Sequence, residues 1–111
     1  MSVCDGHGMY GHEVSAYLKE NLPAALSSEL KKKKSLVNIS SASPQFNMNK
    51  VIEDVFLSIN SQIFNDNSID TNFSGSTCVS VLYTPEKLIC ANVGDSRAVL
   101  GRHINGSKYI V

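Results

Sequence analysis

The most regular hydrophobic pattern of the chain predicts an amphipathic helix in its middle. Between positions 48 and 64, apolar side chains recur every three or four residues, the spacing at which they share one face of a helix. These residues are Met48, Val51, Ile52, Val55, Phe56, Ile59, Ile63 and Phe64. We expect this face to pack on a sheet in the core, although a groove for a partner is another use of such a stripe. Positions 65–72 are dense in Asn, Asp and Ser, which bond their own backbone and predict that the helix ends there.

The first third of the chain begins with an apolar segment and a glycine-rich turn. Positions 1–4 resemble the end of a strand, and positions 5–8 predict the turn. Positions 11–22 carry apolar residues at helical spacing, and Pro23 predicts either the end of that helix or the start of a second one running to about Lys34. The serine-rich segment that follows predicts an exposed loop over positions 35–46.

Segments rich in β-branched residues predict strands after position 72. Positions 76–83 and 88–93 flank a turn with proline at its second position, which predicts a hairpin. Positions 97–104 and 107–111 flank Asn105-Gly106, the strongest short signal of a second hairpin. Helices followed by antiparallel strands predict an α+β fold with helices on one face of the sheet. Both faces of the first two strands are largely apolar, which predicts burial from both sides, as in a sandwich.

Length and charge limit what the chain does. Its 111 residues suit one domain or part of one, and its ten basic and ten acidic side chains give no net charge. We therefore expect no nucleic acid and no membrane as partners. The four lysines at positions 31–34 are the one charged run; they favour a solvated helix end, with an acidic partner surface or a localisation signal as the alternative.

The cysteines and the absence of targeting signals indicate an intracellular protein. Cys4, Cys78 and Cys90 are an odd number in apolar surroundings without C-x-x-C spacing, which favours buried thiols over disulfides or zinc ligands. No apolar run reaches the roughly 20 residues of a membrane span, and the first residues lack the pattern of a signal peptide. We expect a cytoplasmic or nuclear location.

Two short segments carry candidate chemistry. Asp5 follows a strand and precedes Gly6, so a carboxylate and a free carbonyl could hold a magnesium or manganese ion, although a plain turn is also consistent with this string. His7 could protonate a leaving oxygen or merely bond the backbone. Asp95 is a second strand-end carboxylate, which could alternatively cap its own turn and pair with Arg97. His12 and His103 are expected on a helix surface and a strand surface.

Taken together, these segments resemble the motifs of metal-dependent serine/threonine protein phosphatases of type 2C. Positions 3–8 look like the V-F-D-G-H-G block, with Cys4 at the aromatic position, and positions 11–15 continue as the helix of that family does. Positions 74–78 look like the S-G-S-T-A block with Cys78 for alanine, and positions 91–97 match A-N-V-G-D-S-R. The predicted helix at positions 51–64 is similar to one in the middle of that fold.

The resemblance implies a fold and a chemistry. The fold is a four-layer α-β-β-α sandwich of antiparallel sheets flanked by helices, of which residues 1–111 would form part. The site would hold two Mg²⁺ or Mn²⁺ ions, with Asp5 bridging them and the Gly6 carbonyl binding one. A metal-activated water would attack the phosphate of phosphoserine or phosphothreonine in a protein substrate, and His7 would protonate the leaving oxygen. Asp95 matches a residue that helps hold a third, more weakly bound ion.

Departures from the family pattern limit the expected activity. The resemblance implies an upstream arginine and glutamate and two downstream aspartates, and none of the four has a counterpart in these 111 residues. We therefore expect a portion of the catalytic domain, with little or no activity by itself and with sheet edges that favour association.

Two other classes of function are possible. A non-catalytic phosphatase-like module could bind phosphoproteins or another subunit, although it would have no need of Asp5, Gly6 and His7. The lysine run with the serine-rich segment could form a nucleic-acid or localisation module, but that segment has no aromatic residue for stacking on bases and the net charge is zero.

Overall fold

The computed structural model describes residues 1–39, 47–104 and 108–110, with side chains described for residues 1–35 and 47–103. Within these ranges the elements follow in the order β1 (Ser2–Val3), β2 (Gly6–His7), α1 (Gly11–Ile39), α2 (Met48–Asn65), β3 (Gly75–Ser76), β4 (Cys78–Tyr83), β5 (Leu88–Val93), β6 (Arg102–Ile104) and β7 (Lys108–Ile110). Helices and antiparallel strands in this arrangement confirm the α+β class. Neither α1 nor α2, the two described helices, has the length and apolar character needed to cross a membrane.

Helix α1 runs through Pro23, so the predicted break at this residue is wrong. Leu18, Leu22 and Leu26 are buried at successive four-residue steps, and this stripe continues across the proline, which is itself exposed. Burial of the stripe therefore outweighs the missing hydrogen bond and ring clash, which cost about 3 kcal/mol in a helix interior.

The length of α1 also corrects the predictions that follow Pro23. The helix continues to Ile39, so the loop expected over positions 35–46 does not begin at 35, and positions 40–46 lie outside the described residues. The four lysines at positions 31–34 lie on the exposed surface of the helix, as expected, but inside it rather than at its end. Lys32 forms an ion pair with Glu29 at 2.6 Å.

Helix α2 confirms the helix predicted from periodicity. The side chain of Asn47 caps it by accepting hydrogen bonds from Asn49 N at 3.1 Å and Lys50 N at 3.3 Å. Its buried face consists of Val51, Ile52, Val55, Ile59 and Ile63. Phe64, which we expected in the core, is 76% exposed, because one residue beyond Ile63 the helix has turned about 100° away from that face. The helix ends at Asn65, as the run of Asn and Asp predicts.

The central sheet has the order β1-β4-β5, and every pairing in it is antiparallel. The turn at positions 84–87 joins β4 to β5 as predicted, with Thr84 Oγ1 accepting a hydrogen bond from Lys87 N at 3.0 Å. Both helices pack on one face of this sheet, where Cys78, Leu82 and Ile89 join the core.

The other face of the sheet is open along β5, so the expected burial from both sides is not found among the described residues. Tyr83 is 81% exposed and Leu88 is 52% exposed. Cys90 lies on this face and is exposed, which corrects its assignment as a buried thiol. The physical reason is that α1 and α2 both pack on the opposite face of the sheet, the one that carries Cys78, Leu82 and Ile89.

The strand predicted over positions 97–104 is shorter than expected. Its ladder begins at Arg102 rather than at position 97, since positions 97–101 have no strand partner in the described part of the chain. Strands β6 and β7 form the second hairpin, in which Arg102 pairs with Ile110, while the predicted Asn105-Gly106 turn lies outside the described residues.

Replacement of Pro23 by alanine tests the account of α1. We expect Pro23→Ala to raise the free energy of unfolding by about 1 to 2 kcal/mol, because the regained helix hydrogen bond exceeds the loss of the chain stiffness that proline gives the unfolded state. Urea denaturation measures this change. Pro85→Ala is the matched control, since Pro85 is exposed in the β4–β5 turn. A destabilised Pro23→Ala chain would contradict a continuous helix through this position.

Candidate active site

Asp5 lies where the chain passes from one sheet to another. Before it, Val3 of β1 pairs with Val79 of β4; after it, Gly6 of β2 pairs with Ser76 of β3. The turn predicted over positions 5–8 is wrong at Gly6 and His7, because these residues form strand β2 and pair with β3. The Asp5 carbonyl accepts a hydrogen bond from Thr77 N at 2.9 Å. The backbone of Asp5 is therefore held on the strand, while the residue is exposed and its carboxylate is accessible to a cation.

The hydroxyl of Thr77 joins two of the motif segments to the Asp5 turn. Thr77 Oγ1 accepts a hydrogen bond from Asp5 N at 3.2 Å and shares another with Ser96 Oγ at 2.7 Å. Thr77 is 8% exposed, and buried hydroxyls of this kind are costly to leave unpaired. The segment around Ser96 is fixed further by Asn92 Nδ2, which donates to Ser96 O at 2.8 Å. The Thr77 side chain thus connects the two segments that carry Asp5 and Asp95.

Glycines allow these segments to approach closely. Gly94 has φ of +96°, and a Cβ at this position would lie 2.8 Å from Thr77 Cγ2. A Cβ at Gly11, the first residue of α1, would lie 2.7 Å from the carbonyl carbon of Gly6. Side chains at these positions would push the Asp95 turn away from Thr77 and the Asp5 turn away from the helix.

His7 and Asp95 stand at the edges of this arrangement. His7 is exposed in β2, its ring lies next to Gly75, and it borders an open cleft of about 530 Å³. Asp95 is exposed in the turn after β5. In the described part of the chain, no ion pair joins Asp95 to Arg97 and no hydrogen bond ties His7 to the backbone. His12 and His103 lie on exposed surfaces of α1 and β6, as predicted.

The described residues offer two candidate ligands for a metal ion. Asp5 contributes an exposed carboxylate and Gly6 a carbonyl, both ligand types that Mg²⁺ and Mn²⁺ accept. No group of three His, Cys, Asp or Glu side chains within residues 1–35 and 47–103 is placed to hold an ion. A divalent cation held here by Asp5 and Gly6 alone would keep most of its water ligands and bind weakly.

Two thiols lie behind the Asp5 turn. Burial, followed by the neighbouring Cys78 thiol, raises the pKa of the Cys4 thiol to about 11. Burial disfavours the charged thiolate, so Cys4 is a protonated thiol at neutral pH.

Thr77 and Ser96 are the residues whose roles the sequence reasoning did not identify. Both lie in segments that resemble family motifs, at positions 74–78 and 91–97. In these two segments the sequence analysis assigns a role to Asp95 alone. Their contact joins positions 19 residues apart, and Thr77 and Asp5 are 72 apart, so no local pattern could indicate it.

The fold and site define an α+β unit in which three glycine-containing motifs converge on a strand-end aspartate. The chain belongs to the protein phosphatase 2C family: the model of that family, described as Protein phosphatase 2C, matches residues 1–109. This confirms the family indicated by the sequence motifs.

Curated relatives agree with this membership. The chain is 35% identical to Probable protein phosphatase 2C 65 of Arabidopsis thaliana, with 95% of this chain and 30% of the relative covered. It is 37% identical to Probable protein phosphatase 2C 35 of the same plant, with 88% and 24% covered. It is also 37% identical to Protein phosphatase 2C homolog 3 of Schizosaccharomyces pombe, with 90% and 21% covered. The chain thus spans less than a third of each of these relatives. No solved structure matches it.

Removal of the Thr77 hydroxyl tests its structural role. We expect Thr77→Val to lower the free energy of unfolding by about 1 to 3 kcal/mol, because the variant keeps the shape of the side chain and leaves the Asp5 amide unpaired. Thr71→Val is the matched control, since Thr71 is half-buried and its hydroxyl makes no hydrogen bond in the described part of the chain. Equal stability of the two variants in urea denaturation would refute the role of Thr77.

Proposed function

We propose that this chain is the part of a metal-dependent serine/threonine protein phosphatase that supplies Asp5, Gly6 and His7 to the active site. The observation that carries the proposal is the hydrogen-bonded junction of Asp5, Thr77 and Ser96, which joins three motif segments around one exposed carboxylate. Membership of the protein phosphatase 2C family supports the same activity, with phosphoserine and phosphothreonine proteins as substrates.

The proposed ions are Mg²⁺ or Mn²⁺. The Asp5 carboxylate and the Gly6 carbonyl would hold them, with Asp95 near a further, weaker ion and the remaining ligands from outside the described residues. When bound, such ions lower the pKa of a water molecule and so make a nucleophile available at neutral pH. The contribution of this chain is to fix Asp5 on the strand through Thr77 before any ion arrives.

His7 is the proposed proton donor to the leaving serine or threonine oxygen. Its exposure, and the open cleft that it borders, leave room for a phosphorylated side chain beside the imidazole. An imidazole that carries a proton can donate it to a leaving oxygen within hydrogen-bond reach, and His7 is therefore suited to this step.

The open sheet face supports the proposal of a four-layer α-β-β-α sandwich. Tyr83, Leu88 and Cys90 form an exposed strip on the face opposite the helices, where a second sheet would bury them. The three free thiols suit a reducing, intracellular compartment, cytoplasmic or nuclear.

A second candidate function is a non-catalytic module that binds phosphoproteins or another subunit. The incomplete set of metal ligands among the described residues favours it. Transfer of this segment into a related phosphatase distinguishes a binding module from part of an enzyme.

A chimera supplies the experiment. Residues 1–109 would replace the matching segment of the Schizosaccharomyces pombe Protein phosphatase 2C homolog 3. We expect the chimera to hydrolyse a phosphothreonine peptide in the presence of Mn²⁺, and Asp5→Asn to lower kcat/KM at least about 100-fold by weakening metal binding. Asp70→Asn is the control, because among the described residues the exposed Asp70 carboxylate bonds only Asn72. We expect it to change kcat/KM by less than about twofold.

Two outcomes of this experiment distinguish the candidate functions. A folded chimera without activity would favour the binding module. The 111-residue chain alone is expected to show no Mn²⁺-dependent hydrolysis, and activity there that Asp5→Asn abolishes would contradict the need for further ligands.

The role of His7 is tested by the choice of leaving group. In the chimera we expect His7→Gln to lower kcat about 100-fold with a phosphothreonine peptide, because an alkoxide needs protonation as it leaves. With p-nitrophenyl phosphate the loss should be less than about tenfold, since nitrophenolate leaves without a proton. His12→Gln is the control on the neighbouring helix surface. Equal losses with both substrates would show that His7 is not the proton donor.

A further inference from the structure

Cys4 and Cys78 are the two positions at which the motif segments depart from the blocks they resemble, and the sheet brings them together. Strands β1 and β4 pair Ser2 with Ser80 and Val3 with Val79. One step further along this antiparallel register sets Cys4 opposite Cys78. Both are free thiols.

The hydrogen-bond pattern shows which kind of pair they form. Met1 N donates to Val81 O at 3.0 Å and Val81 N donates to Met1 O at 2.8 Å, so these two residues are a hydrogen-bonded pair. In an antiparallel ladder such pairs alternate with non-hydrogen-bonded ones, whose Cα atoms lie closer, at about 4.5 Å. Counting along β1 from Met1, Cys4 and Cys78 form a non-hydrogen-bonded pair.

The neighbouring pair of this kind confirms the close approach. Ser2 Oγ lies 2.7 Å from Ser80 Oγ, so side chains on this row of the sheet are in direct contact. A Cα separation of about 4.5 Å falls at the short end of the range of about 4.4 to 6.8 Å that disulfides span. Two sulfurs in this register can therefore be joined without moving the strands apart.

Only one of the two thiols is open to a reagent. Cys4 is half-buried and borders a cleft of about 810 Å³ between α1 and the strands, with Lys19 among the residues that line it. Cys78 is 4% exposed. Cys90 is exposed, but it lies on β5 and on the opposite face of the sheet, so it cannot reach either of them in the folded chain.

We propose that Cys4 and Cys78 are a redox modification site that closes to a reversible cross-strand disulfide, with a small-molecule disulfide such as oxidised glutathione as the oxidant. Cys4 Sγ loses its proton to solvent and attacks one sulfur of glutathione disulfide, which forms a mixed disulfide and releases one glutathione. Cys78 Sγ then loses its proton and attacks the Cys4 sulfur, which releases the second glutathione. The two protein thiols are oxidised and one disulfide is reduced to two thiols.

The link would act on the Asp5 turn. It ties the residue before Asp5 to the residue after Thr77, beside the hydrogen bonds that position the Asp5 backbone. Disulfides at the short end of the allowed separation are strained, and strained disulfides are readily reduced, so excess thiol reopens the pair. This inference concerns the thiols alone and does not depend on phosphatase activity.

The experiment is a map of disulfide pairing. The reduced full chain is incubated for hours with excess oxidised glutathione at mildly alkaline pH, because the first attack needs the Cys4 thiolate. It is then quenched with a maleimide and digested without reduction, and the linked peptides are identified by mass spectrometry. The same incubation in concentrated urea gives the pairing of the unfolded chain.

We expect a folded product that has lost two hydrogen atoms, with the Cys4–Cys78 link at least about tenfold more abundant than both other pairings together. Cys90→Ser should give the same link, and Cys78→Ser should leave glutathione on Cys4. Dithiothreitol should restore the reduced mass, and urea should yield all three pairings. The proposal fails if the folded chain gives a mixture like that in urea, gives only glutathione adducts, or shows no cooperative unfolding transition.

Discussion

The hydroxyl of Thr77 accepts a hydrogen bond from the Asp5 amide at 3.2 Å and shares a second with Ser96 Oγ at 2.7 Å. Thr77 is buried just before the central strand β4, where a hydroxyl without a partner is costly. Because its two partners come from opposite ends of the chain, this side chain sets the position of the Asp5 carboxylate relative to the turn that carries Asp95. Without it, the motif segments would share a sheet but not a common site.

The layers around this junction serve to hold it. Helices α1 and α2 bury a continuous apolar face on one side of the sheet, and Leu22 at the centre of α1 is 1% exposed. Gly11 at the start of α1 lies close to Gly6, the residue after Asp5. The core that fixes α1 therefore also fixes the position of the candidate site. The opposite sheet face is open along β5, and within the described residues no three His, Cys, Asp or Glu side chains lie together to hold a metal ion. Both features agree with a chain that spans less than a third of relatives such as those from Arabidopsis and fission yeast.

Sequence reasoning succeeded where local periodicity decides the structure and failed where distant contacts do. Helix α2 and the β4–β5 hairpin follow from apolar spacing and turn chemistry, and both were predicted closely. The break at Pro23 was wrong because a local breaker was outweighed by burial on both sides of it. The predicted burial of Phe64 and of Cys90 was wrong, because the sequence around an apolar residue at the edge of an element does not indicate which layer covers that residue. Asp5 follows β1 as expected, but Gly6 begins β2 instead of lying in the predicted turn, and the Thr77 contact that positions Asp5 has no signature in either segment.

Native-state hydrogen exchange of the Asp5 and Thr77 amides tests this account most directly. Asp5 N bonds the Thr77 hydroxyl, and Thr77 N bonds the Asp5 carbonyl at 2.9 Å. If this junction is part of the cooperative core, both amides should be protected to the same opening free energy as the amide of Val81 in β4. Exchange of Asp5 and Thr77 at the rate of an unstructured peptide, while Val81 stays protected, would contradict the account.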